Sequence, residues 1–172
     1  RRIPRNDDES GRSVEILSPF SAANRDSDTR AFAALMKHLK AIDGEAHTVV
    51  MVQVENEIGM IPDARDHGEE AGKSFAAAVP SELMAYLVKH AESLTPELRE
   101  LWQAGGGKRT GTWAEVFGNG PAAEELFMAW HFARFTQHVT AAGKAEYPLP
   151  MFVNAALIRP GYKPGQYPSA GP

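Results

Sequence analysis

The run Thr48-Val49-Val50-Met51-Val52-Gln53-Val54 limits the fold of this chain more than any other segment, because it is short, β-branched and apolar on both faces, and leads directly into Glu55-Asn56-Glu57. A strand that is apolar on both faces needs cover on both, which parallel strands flanked by helices receive. Carboxylates are costly in an apolar interior unless they are paired, hydrogen-bonded or used in chemistry. Two of them at the end of a buried strand therefore mark that end as the place where a sheet opens to a ligand. Strand alternation puts Met51, Gln53, Glu55 and Glu57 on one face and Val50, Val52 and Val54 on the other. The valine face is expected to pack against helices and the polar face to look inward.

Around this strand the hydrophobic period changes from two to about 3.6. Phe32, Leu35, Met36, Leu39 and Ile42 predict an amphipathic helix over 28–42, with Ser27 or Asp28 as its cap and Asp43-Gly44 as its stop. Ser81 is expected to cap a helix carrying Leu83, Met84, Leu87 and Val88, and Thr95-Pro96-Glu97 opens another with proline in the first turn. A longer helix is predicted from Pro121 to near Gly143, with Met128, Phe132, Phe135 and Val139 on one stripe and Trp130 in the same core. Leu149–Asn154 reads as a second buried strand. Residues 1–27 read as loop, the stretch after Glu57 as a long loop, and 160–172 as a Pro/Gly-rich loop.

The order helix, strand, helices, strand is that of an α/β protein with a parallel sheet. Two strands buried on both faces cannot complete such a sheet, because their outer backbone groups lack partners. A full eight-stranded barrel takes about 250 residues, so 172 residues are expected to be an incomplete part of a (β/α)8 TIM barrel. The polar start without an initiator Met fits an N-terminus lying further upstream.

Charge and composition narrow the partners. A formal net charge of -4 and a pI near 5.9 give no broad attraction for phosphate backbones or anionic lipid, so neither nucleic acid nor membrane is expected as a partner. A neutral polar ligand fits better. The lack of cysteine excludes disulfides, thiolate metal sites and a cysteine nucleophile, and leaves the compartment unknown. His131 and His138 stand two helical turns apart, too far to chelate one ion, so no metal and no cofactor are expected. Gly105-Gly106-Gly107-Lys108-Arg109-Thr110 has Trp102 where a phosphate loop needs glycine, and reads as a surface turn.

The string Gln53-Val54-Glu55-Asn56-Glu57-Ile58-Gly59 resembles the acid/base motif of glycoside hydrolase family 35, in which an Asn-Glu pair closes the fourth barrel strand. The segments 148–157 and 164–172 are similar to the fifth strand and following loop of a bacterial branch of that family. The resemblance implies a retaining β-galactosidase, with residues 1–172 forming the part of one catalytic barrel around strands 4 and 5 and the intervening helices. It makes Glu57 the proton donor and Asn56 a contact to a hydroxyl beside the reacting carbon. Glu55 is a candidate for holding the strand end and the substrate. Asn154, at the end of the second strand, is a candidate lining residue, as are Tyr162 and Tyr167 in the tail.

In such an enzyme one carboxylic acid protonates the departing oxygen while a second carboxylate attacks the sugar carbon. The family's nucleophile lies on the seventh strand, which nothing after Asn154 supplies. The chain alone is therefore expected to be inactive and to need the remainder of the barrel. Asp63, Asp66, Glu69 and Glu70 follow the motif in what reads as a loop, a poor support for a nucleophile. Two other readings stay open: a non-catalytic glycan-binding or structural barrel segment, and a retaining barrel glycosidase for another sugar. The expected ligand is a β-galactoside, and self-association into a homo-oligomer is left open.

Overall fold

At the centre of the chain lies a strand–helix–strand unit: β3 (Val52–Gln53) runs parallel to β4 (Met151–Phe152), with Val52 opposite Met151 and Gln53 opposite Phe152. The computed structural model describes residues 2–4, 13–59, 63–154 and 161. The Val52 amide donates to the Pro150 carbonyl at 3.0 Å and the Val54 amide to the Phe152 carbonyl at 2.8 Å. Both strands are shorter than the sequence suggests. On the N-terminal side, the Asp43 carboxylate accepts the Thr48 amide at 2.9 Å, the Val49 amide at 2.9 Å and the Thr48 hydroxyl. These bonds, the Thr48 hydroxyl first, hold the Asp43 carboxyl below the usual range.

Helix α1 spans Ala22–Asp43, six residues longer at its start than expected, and its cap is Ser21, whose hydroxyl accepts the Asn24 amide at 3.3 Å. Residues 1–27, expected as loop, hold two further elements, β1 (Arg2–Pro4) and β2 (Ser13–Leu17), paired antiparallel. The first turns of α1 are polar, and the residue they bury is Asn24, whose side-chain amide donates to the Ser18 carbonyl at 3.1 Å.

The segment between the parallel strands supplies most of the helices: α2 (Glu69–Ala76), α3 (Ser81–Lys89), a 3-10 turn (Ala91–Ser93), α4 (Pro96–Ala104), α5 (Trp113–Phe117) and α6 (Pro121–Glu146). Thr95 caps α4 with Pro96 at its start, as the sequence predicts, whereas Ser81, expected as the cap of α3, is its first helical residue and Pro80 stands at the cap position. Helices α2 and α5 were not expected. Helix α5 is held by a reciprocal capping box, Thr112 accepting the Glu115 amide and Glu115 accepting the Thr112 amide.

The first half of α6 anchors the main core. Phe127 is fully buried, with Trp113 and Phe75 edge-on to it at 5.1 and 5.2 Å, the geometry that aromatic quadrupoles favour. Ile3 from β1 and Leu87 from α3 are buried in the same cluster. The second half of α6 packs along α1, the most extensive helix–helix contact in the chain. Gly143 permits it, since a Cβ there would sit 2.3 Å from the Phe32 ring. Phe135 and Val139 reach from α6 onto Val54, with Phe32 and Met151 beside them. The two helices thus cover one side of the strand pair, while Val50, Met51, Phe152 and Val153 stay exposed. The fold is α/β and rich in helix, with one parallel strand pair; the tail 162–172, including Tyr162 and Tyr167, lies outside the described residues.

Candidate functional site

Beyond Val54 the backbone leaves the extended conformation. Glu55 has φ 60° and Glu57 φ 48°, both in the left-handed region that residues with a Cβ rarely adopt. Each costs on the order of 1–2 kcal/mol, so neighbouring contacts must hold the turn. The expected alternation therefore ends at Val54, and Glu55 and Glu57 do not continue one strand face.

Side-chain amides provide those contacts. The Gln53 side-chain amide donates to the Glu55 carbonyl at 2.9 Å and to Asn56 Oδ1 at 3.0 Å. From the end of β4, Asn154 Oδ1 accepts the Glu57 amide at 2.9 Å, and its Nδ2 approaches Asn56 Oδ1 at 3.4 Å. With its oxygen engaged, Asn56 has its Nδ2 donor group left to offer a ligand. Asn154, a candidate in the sequence, is thus the clasp between the two strand ends, and Gln53 is a second clasp that the motif alone did not single out.

The turn borders a cleft of about 360 Å³, which neither Gln53 nor Asn154 lines, so the lining role expected of Asn154 is not met there. Glu55, Asn56, Glu57, Ile58 and Gly59 form one wall, and Asp28 of α1 enters from another side. Leu17 and Pro19 close a third side, and Phe132 and Phe135 also line it. Glu57 and Asn56 are exposed and Glu55 is half-buried. Burial first, and the charge of Asp28 second, push the Glu55 carboxyl above its ordinary value. The sequence suggested Asp28 only as a helix cap. Its place at the cleft follows from α1 starting earlier, which no hydrophobic period reveals.

The other acidic residues after the motif do not line this cleft. Asp66 is buried, accepting the Ser18 hydroxyl and the Gly68 amide, each at 2.6 Å. Asp63 lies 3.3 Å from His67, and Glu69 and Glu70 pair with Lys73 on exposed α2. Trp130 and His131 belong to the main core, His131 lying 4.5 Å from the Phe20 ring and 4.6 Å from Phe127. Among the described residues, no three His, Asp or Glu side chains converge as metal ligands would, and no helix is long and apolar enough to cross a membrane. Compared with models of known families and with curated proteins, the chain matches none.

Proposed function

We propose that this chain is the part of a retaining β-glycosidase barrel that carries the proton donor, acting on β-galactosides. The observation that carries the reading is that Glu55-Asn56-Glu57 line a cleft at the C-terminal end of β3 while Asn154, at the end of the parallel β4, holds the Glu57 amide; strand ends of this kind are where α/β sheets bind ligands. The cleft's size falls within the roughly 300–1,000 Å³ of small-molecule sites. The resemblance of Gln53–Gly59 to the family 35 motif supplies the sugar and the roles.

In this mechanism Glu57 protonates the departing glycosidic oxygen and then takes a proton from the incoming water. Its exposure leaves it open to a leaving group, while the bond from its amide to Asn154 keeps its backbone in place. Asn56 donates to a ring hydroxyl. The nucleophile comes from the remainder of the barrel, whose strands would cover Val50, Met51, Phe152 and Val153 and pair with the open edges of β3 and β4.

Glu57→Gln in the complete barrel is expected to lower kcat/KM on an alkyl galactoside by about 10²–10⁴-fold. Azide should partly restore turnover of an aryl galactoside, which needs no proton to leave. Turnover equal to that of the unaltered enzyme would remove Glu57 from the mechanism. A glycan-binding segment without chemistry is the second reading, favoured by the lack of a facing carboxylate strand among the described residues. It predicts galactose binding with no hydrolysis by the complete barrel.

A further inference from the structure

A second cleft, of about 430 Å³, lies between α6 and the end of β4. Ile58 and Phe132 line both clefts, so the two adjoin, and Asn154, whose oxygen holds the Glu57 amide, lines the second. Their chemistry differs. The first carries Asp28, Glu55 and Glu57, whereas no ionisable side chain lines the second among the described residues. Its polar groups are neutral: Thr136, Gln137 and Thr140 from α6, and Asn154 from the end of β4. Gln137 accepts Arg134 at its oxygen at 3.0 Å, which leaves its Nε2 hydrogens to donate. Thr136 is 6% exposed, and its hydroxyl has no hydrogen-bond partner among the described residues. Buried hydroxyls are rarely left so, because nothing then offsets their removal from water. In a residue that lines a cleft, such a hydroxyl points to a partner arriving from outside the chain.

We propose that this second cleft receives the leaving saccharide, a neutral sugar unit whose hydroxyls bond to Thr136, Gln137 and Asn154. That the unit is a leaving group rests on the glycosidase reading above; the binding of a neutral sugar does not. Hydroxyl and amide side chains match sugar hydroxyls as donors and acceptors, and the lack of charge gives no hold on an ion. The exposed side chains of Ala133 and Val153 supply an apolar surface for the C–H face of the ring. Position agrees with chemistry. Glu57, the proton donor of that reading, is tied through its amide to Asn154, so the bond to be cleaved runs from a sugar in the acidic cleft to a sugar in the neutral one.

Every lining group belongs to this chain, so the test uses it as it stands: methyl NMR of the Ala, Ile and Thr side chains during titration with lactose. Lactose is expected to move the Ala133 and Thr136 methyls together with those of Ile58, a readout that needs no variant to fold. Still methyls at Ala133 and Thr136 would overturn the proposal. So would cyclohexanol, a ring with one hydroxyl, shifting them at lower concentration than lactose, since the cleft would then be an apolar groove. Thr136→Val keeps the shape of the side chain and removes the hydroxyl. The ligand-free variant should melt about 2–4 °C higher, with the unpartnered group gone, and should bind lactose about fivefold more weakly, the worth of one hydrogen bond. A threonine with a structural role alone would move the melting temperature and leave the affinity unchanged, which would overturn the proposal. A lower melting temperature would show the hydroxyl already partnered within the chain, with the same result. Turnover by Glu57→Gln in the complete barrel decides the glycosidase reading separately, so either can fail alone.

Discussion

Replacing His131 with phenylalanine should flatten the acid limb of the stability curve. The imidazole sits on α6 against Phe20, Phe127 and Trp113, and burial pulls it from its ordinary 6.5 down to about 4. Because the folded value lies below the unfolded one, the fold favours the neutral ring. Its contribution is complete above pH 6.5, is lost as pH falls toward 4, and changes no further below that. The gap of about 2.5 pH units, at about 1.36 kcal/mol each, corresponds to about 3 kcal/mol, of which some 2–3 kcal/mol is already lost at pH 4.5.

The assay is urea unfolding at pH 7.5 and 4.5, with and without the substitution. Phenylalanine is larger than histidine, and a tight fit would cost about 1–3 kcal/mol at both pH values alike. The informative quantity is therefore the difference between the two pH values. Asp43 and Glu115, both held low by hydrogen bonds, contribute stability that is lost only as pH falls through their lowered values, beneath most of this window. Glu55, raised by burial and Asp28, acts in the opposite direction, contributing stability at low pH that is lost as pH rises through its folded value. An unaltered pH difference in His131→Phe would refute the reasoning.

Two other substitutions probe the scaffold. Gly143→Ala should destabilise the chain by about 1–2 kcal/mol in thermal melts, since the overlap with Phe32 and Met36 outweighs about 1 kcal/mol of helix propensity gained. Glu57→Gly should do the reverse: it relieves about 1–2 kcal/mol of left-handed strain against about 0.5–1 kcal/mol of added chain entropy, a net gain of up to about 1.5 kcal/mol in urea unfolding.

Sequence patterning revealed the elements whose inward faces are apolar. The stripe Met128, Phe132, Phe135 and Val139 located α6, and all four side chains are buried. Thr95-Pro96 located the start of α4 by the chemistry of its cap. Patterning failed where polar groups take the inward position. The first turns of α1 are anchored by Asn24 to a carbonyl, and a hydrophobic period cannot register such an anchor. Helix α5 is too short to show a period, although Thr112 and Glu115 carried the capping-box signature that would have found it.

At the site, the sequence named Glu55, Asn56, Glu57 and Asn154 as candidates; the first three line the cleft, and Asn154 bonds to Glu57 and Asn56 from β4 without lining it. It did not reveal the left-handed turn. Positive φ is expected at glycine or asparagine, yet here Asn56 is flanked by the two residues that adopt it. That turn exists because Gln53 and Asn154 hold it, and a contact across 97 residues of chain leaves no local trace.

Helix α1 carries one acid beside the cleft that follows β3 and another against the amides that precede it. Asp28 stands near one end of the helix beside the cleft, and Asp43 at the other end grips the amides that precede β3. Fifteen residues of α-helix separate them, a rigid strut of roughly 22 Å. Any twist of that strut about its long axis, from a crowded substitution at the α6 seam, would release the grip at one end and withdraw the acid at the other in a single movement.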